Sequence, residues 1–96
     1  LTDFVGSNPG TKLKAKNGWS RNGNGTDDYS FSALPGGSRF GGGKFVDIGT
    51  DGLWWSSTEN TTDYAWGRFM GYYYGNVNRL NFNKSWGFSV RCVRDL

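Results

Sequence analysis

Two kinds of sequence meet in residues 64–95, and their junction limits the fold more than any other feature. The middle, YYYGNVNRLNFN over residues 72–83, crowds Tyr, Asn, Gly and Phe in irregular order. The end, GFSVRCVRD over residues 87–95, alternates apolar and polar side chains as a strand does. Tyr and Asn supply contact area and adaptable hydrogen bonds at low entropic cost, as binding loops do. A regular strand beside such a segment reads as a scaffold holding out a recognition surface. The pattern points to binding and is silent on what is bound.

The chain of 96 residues makes one small domain, residues 1–96. A chain this short buries only about 60–65% of its unfolded surface. Large rings are an efficient filling for such a core, since each buries roughly 150–250 Å². The 18% aromatic content excludes a disordered chain. With 16 Gly and only 2 Pro the chain is loop-rich without being collagen-like. The expected class is α+β and β-rich, with short antiparallel sheets, long loops and little helix.

Segment by segment, residues 1–5 read as the end of a helix, stopped by Gly6 and the Asn8-Pro9-Gly10 turn. Residues 11–16 read as a short extended piece with Leu13 and Ala15 inward. Residues 29–34 alternate Tyr29, Phe31 and Ala33 with Ser30 and Ser32, a strand signal ended by Pro35-Gly36-Gly37. Gly41-Gly42-Gly43 between Arg39-Phe40 and Lys44-Phe45 predicts a hairpin. Further strands are expected over residues 45–48, 53–57 and 64–70, around 77–80, and over 87–94. In the 64–70 strand Tyr64, Trp66, Arg68 and Met70 share a face.

Several function classes are poorly supported. Net charge is +3, and Lys12, Lys14 and Lys16 are the only basic cluster. In an extended segment they share one solvent face. The stacking and groove signals of nucleic-acid binders are missing, so no nucleic-acid partner is expected. No apolar run approaches the roughly 20 residues needed to span a bilayer, so this chain is not expected to insert in a membrane. It begins at Leu1 without Met or a leader, which reads as a mature fragment or excised domain. No His is present, which removes the commonest general base and metal ligand. The lone Cys92 allows no internal disulfide and, alternating with Phe88 and Val90, reads as a small buried hydrophobe. Gly41 to Gly43 lacks the Lys-Ser/Thr pair of a phosphate loop, and no Ser sits in a nucleophile elbow. An enzyme is not expected.

Residues 27–37 (DDYSFSALPGG), 54–59 (WWSSTE) and 87–95 (GFSVRCVRD) together resemble the C-terminal portion of the Fibrobacter succinogenes major paralogous domain. Residues 10–14, Gly18-Trp19, residues 24–27 (NGTD), residues 65–68 (AWGR) and Lys84 extend the match over nearly the whole chain. In this combination the motifs are highly specific. The family occurs in secreted and surface proteins of Bacteroidetes and Fibrobacter, so the resemblance implies an extracellular or cell-surface bacterial protein. The family domain is longer, and residues 1–6 resemble the tail of a helix that follows a Trp-bearing segment. The chain is therefore expected to be the C-terminal part of a longer domain.

That family is similar to C-type-lectin-like proteins. The resemblance implies two short sheets, an N-terminal helix and long loops, with ligand binding between Trp55 and Trp86. The calcium-lectin triplets Glu-Pro-Asn and Trp-Asn-Asp are absent, so calcium-dependent sugar binding is not carried over. A second resemblance is to the variable proteins of diversity-generating retroelements, whose C-terminal ends differ at scattered positions. Gly67, Phe69, Gly71, Tyr73, Tyr74, Asn76, Asn78, Leu80 and Phe82 fit that pattern. Ala65, Arg68, Val77, Arg79 and Lys84 resemble the fixed frame between them.

Other features admit both a sharp and a bland reading. Residues 22–28, NGNGTDD, place oxygen ligands at alternate positions as a calcium loop does, but lack its downstream Glu. Asn and Gly also make tight turns without metal, so no cofactor is expected and calcium is the alternative. Trp54 and Trp55 point to opposite faces of a strand, and core packing is the reading for at least one. Arg68, Arg79, Arg91 and Arg94 could grip an anionic ligand but read as structural cations, and Arg91, opposite Phe88, Val90 and Cys92 on its strand, is expected to face solvent or to pair with a carboxylate such as Glu59 or Asp63.

The expected core holds Phe31, Trp55, Phe88 and Val90. The expected binding surface holds Gly67, Phe69, Gly71, Tyr73, Tyr74, Asn76, Asn78, Leu80, Phe82 and Trp86. Its expected ligand is a protein or glycan on another cell or surface. The alternative is a spacer or cap with no ligand of its own.

Overall fold

The computed structural model describes residues 5–92. Pro9 opens a helix, α1 (Pro9–Leu13). Its ring presets the helical φ at a position whose N–H needs no partner. The helix ends where Lys14 turns extended, with Lys14 N–H donating to Gly10 O at 2.9 Å. Residues 11–13 are thus helical, not extended as the sequence suggested. Leu13 and Ala15 are buried all the same. The chain leaves the helix directly into a bridge with Ala33, in which Ala15 N–H donates to Ala33 O and Ala33 N–H to Leu13 O, both at 2.9 Å.

Val5, Leu13, Trp19, Ala33 and Met70 form the core, with Phe31, Trp54, Tyr72 and Val77 packed on it. The Trp19 indole N–H reaches Ala33 O at 2.9 Å, so this large ring is buried without an orphaned donor. Gly25 lets the 20–28 loop close over α1. A side chain there would start 2.3 Å from Thr11 O.

The strand expected over residues 29–34 does not form. Ser30 and Ser32 have φ near +56°, in the left-handed region. The Asp27 carboxylate accepts from both the Ser32 N–H (2.8 Å) and the Ser32 hydroxyl (2.6 Å). This local hydrogen bonding winds the segment into a turn and outcompetes the alternation signal. Only Ala33 keeps a ladder contact.

The glycine-rich turn does make a hairpin, β1 (Ser38–Arg39) with β2 (Phe45–Val46), antiparallel. The main sheet is a meander of β3 (Asp51–Glu59), β4 (Tyr64–Gly71) and β5 (Asn78–Asn83), with β4 in the centre. The outer edge of β3 is met by Ser89, whose N–H donates to Leu53 O (3.0 Å) and whose carbonyl accepts from Trp55 N–H (3.2 Å). The described chain is β-rich with little helix, and none of its helices is long and apolar enough to cross a membrane.

The terminal strand expected over residues 87–94 is reduced, within the described residues, to isolated bridges at Gly87 and Ser89. Because the backbone pairs with β3 at one residue only, nothing enforces the alternation beyond it. Val90 is 71% exposed and Cys92 is exposed, where burial was expected. Arg91 is exposed, the first of the two expectations for it, and does not pair with Glu59 or Asp63. It donates to Phe31 O at 2.7 Å and lies 4.3 Å from the Phe31 ring centre. Glu59 instead holds Lys84 at 2.8 Å in an exposed ion pair. Arg94 and residues 1–4 fall outside the described residues, as does most of the expected N-terminal helix.

Candidate functional site

Strand alternation decides which side chains can act together. On β4, Tyr64, Trp66, Arg68 and Met70 take one face, and Ala65, Gly67, Phe69 and Gly71 the other. Directly opposed residues of an antiparallel pair share a face. The register sets Ala65 against Phe82, Gly67 against Leu80 and Phe69 against Asn78. Across the other ladder, Gly67 faces Trp55 and Phe69 faces Leu53. Six of the ten expected site residues therefore share one sheet face: Gly67, Phe69, Gly71, Asn78, Leu80 and Phe82. The core packs on the other face, at Met70 and Trp54. Farther along that opposite face, Arg79 lies 3.8 Å from the Trp66 ring centre.

A tyrosine cluster stands at the end of the shared face near Gly71. A Cβ at Gly71 would lie 3.0 Å from the Tyr73 ring and 3.2 Å from the Tyr74 ring, so this buried glycine makes room for both. The two rings meet edge-on at 4.3 Å, and Phe69 lies 5.9 Å from Tyr74. Asn78 Nδ2 donates to the Tyr74 hydroxyl at 2.8 Å. Burial, with Tyr73 adding to it, pushes that hydroxyl up to about 12. Tyr73 itself is 64% exposed.

The cluster rests on a residue that the alternation pattern assigns to solvent. Lys14 is only 3% exposed. Its ammonium donates to Gly71 O and to Tyr74 O (2.8 Å), and lies 4.9 Å from the Trp19 ring centre. Burial lowers its pKa. The sole sequence clue is its position between Leu13 and Ala15, both inward-facing. The helical turn then sends Lys14 inward too, which a strand would forbid.

A second aromatic cluster occupies the other end. Where Gly67 lacks a Cβ, the Phe82 ring fits at 3.0 Å. Phe82 stands edge-on to Phe88 at 4.8 Å, and Phe88 stacks on Trp55 at 4.3 Å. Trp86 lies between Phe82 (6.2 Å) and Phe40 (4.9 Å) and is half-buried. Trp55 and Phe88, expected in the core, belong instead to this cluster on the face away from it. Leu80 is 47% exposed beside them.

Asn76 is not brought to the face by strand pairing. Its loop is tied to the start of α1, where Gly10 N–H donates to Gly75 O at 2.7 Å. In the 22–28 loop, both Asp27 oxygens are taken by Ser32, and these hydrogen bonds hold the carboxyl below its usual pKa. Among the described residues, no group of three or more His, Cys, Asp or Glu could hold a metal ion.

The family model described as the Fibrobacter succinogenes major domain matches residues 2–94. No curated protein and no solved structure matches the chain.

Proposed function

We propose that this chain, which belongs to the Fibrobacter succinogenes major domain family, is a non-enzymatic binding domain with a C-type-lectin-like fold. It works outside the bacterial cell or on its surface, and its partner is a protein or glycan of another cell or surface. The observation that carries this reading is the register of β4 and β5, which gathers alternate residues of a Tyr/Asn/Phe-rich segment on one face. Tyr73 and Leu80 offer exposed contact area, and Asn78 and Asn76 offer amides. Beneath them the two ring clusters give a stiff base. A spacer would have no use for an exposed Tyr73 and an exposed Leu80 towards the two ends of that face. The interleaving also fits a surface that differs between relatives, because face residues can change while Trp66, Arg68 and Met70 keep the opposite side. A cell-surface protein and glycan array probed with the purified chain tests the reading. Sequencing one locus across isolates tests the variability, and uniform residues at the nine positions would end that part of it.

A further inference from the structure

A cleft of about 280 Å³ adjoins the binding face, lined by Gly36, Gly37, Ser38, Arg39, Phe45, Gly87, Phe88 and Ser89. None of these is among the ten face residues, so a ligand held here would be additional to the partner of that face. Three kinds of group meet in the cleft. Arg39 is a cation with no ion-pair or hydrogen-bond partner for its side chain among the described residues. Arg79 and Arg91, by contrast, are each engaged with a ring. Phe45 leaves its ring 78% exposed on the cleft wall, with Phe88 half-buried nearby. Ser89 is exposed and its hydroxyl takes no hydrogen bond within the described residues, whereas Ser38 is buried and alternates away from Arg39 and Phe45. Gly36 and Gly87 leave room in the lining, since a Cβ there would lie 3.2 Å from the Ser89 hydroxyl and 3.2 Å from the Arg39 Cβ.

The backbone of the cleft is closed to a peptide strand. The N–H groups of Gly36, Gly37, Arg39, Gly87 and Ser89 donate to Leu34, Asp51, Gly87, Arg39 and Leu53 carbonyls, at 2.7–3.0 Å. Adding a strand needs such groups unpaired. Recognition is left to side chains: a guanidinium for a carboxylate, a hydroxyl for a hydroxyl, and rings for the apolar face of a ring. The volume sits just under the roughly 300 Å³ where drug-sized pockets begin, which suits a single six-membered ring.

We propose that this cleft binds a carboxylate-bearing sugar ring, a hexuronic acid residue, with Arg39 on the carboxylate, Ser89 on a ring hydroxyl, and Phe45 and Phe88 against the ring. The test uses glucuronate and galacturonate as probes, with glucose, galactose and a short acidic peptide for comparison, followed by amide and side-chain NMR shifts. At least one uronate should move Arg39, Phe45 and Ser89 and bind about tenfold or more tightly than its neutral sugar. Arg39→Gln should weaken it by about the same factor while leaving the melting temperature unchanged. Phe45→Ala, a second exposed position, should weaken uronate and neutral sugar alike. The proposal is overturned by an absence of uronate shifts at these residues, by equal binding of neutral sugars, or by tighter Arg39-dependent binding of the peptide.

Discussion

The ammonium of Lys14 donates to the carbonyl of Tyr74 at 2.8 Å, joining the end of α1 to the tyrosine turn sixty residues later. The same group takes Gly71 O, so one buried cation holds both ends of the 71–74 turn. Lys14→Met keeps the length and apolar stem but leaves two carbonyls without their donor. A loss of about 1–3 kcal/mol is expected, which in a domain this size lowers the melting temperature by about 4–8 °C per kcal/mol. An unchanged melting temperature would mean that the turn stands without the lysine.

Tyr74 gives the alkaline limb of stability a definite sign. Its hydroxyl titrates near 10.0 in the unfolded chain and at about 12 when folded. Between those values the unfolded chain releases the proton first, so stability is full below pH 10 and falls as pH rises towards 12. Lys14 acts oppositely, because a lowered pKa means that the unfolded chain holds its proton longer and stability rises with pH in its window. Tyr74→Phe isolates the tyrosine. Urea midpoints taken just below pH 10 and just below pH 12 should drop less in the variant than in the parent chain, and identical drops would refute the assignment.

At the acid end, Asp27 is held below its ordinary value of 3.8 by its two hydrogen bonds to Ser32. Its contribution is present above the unfolded value and disappears as pH falls through the lower, folded one. Asp27→Ala should flatten that part of the acid limb and lower stability at neutral pH. It should also free residues 29–33 from the turn, which amide exchange at Ser32 would report as faster protection loss. Unaltered exchange would leave the turn to some other restraint.

Two glycines of equal size should respond differently to alanine. At Gly67 the added methyl meets the Phe82 ring at 3.0 Å and Trp54 O at 3.1 Å, so the second aromatic cluster must shift, at about 1–3 kcal/mol. At Gly42 nothing lies within 4 Å, and the change should stay within about 0.5 kcal/mol. Equal melting temperatures for the two variants would contradict the packing of Phe82 over β4.

The sheet was legible because its signals are local. Alternation over residues 64–70 and the glycine turn at 41–43 each specify their partner strand nearby. Legibility failed where a side chain bonds the backbone, as Asp27 does to Ser32, or where a helical turn replaces an extended one, as at Pro9. Val90 and Cys92 alternate with Phe88 but have no continuous neighbouring strand to bury them. Strand alternation accounts for six of the ten expected surface residues sharing one sheet face, whereas the burial of Lys14 beneath them was not legible, because it depends on carbonyls sixty residues away.

The central claim is that the face of β4 and β5 with the tyrosine cluster binds a partner. Its most direct test is one array of cell-surface proteins and glycans, probed with the parent chain and with the Tyr73→Ala, Leu80→Ala double variant. Both side chains are exposed, so the variant should melt with the parent, whereas Tyr74 is tied to Asn78 and Lys14 and would confuse binding with folding. The account predicts a reproducible hit for the parent that the variant loses at an unchanged melting temperature. A parent chain without any hit, or a hit that survives both substitutions, would contradict it.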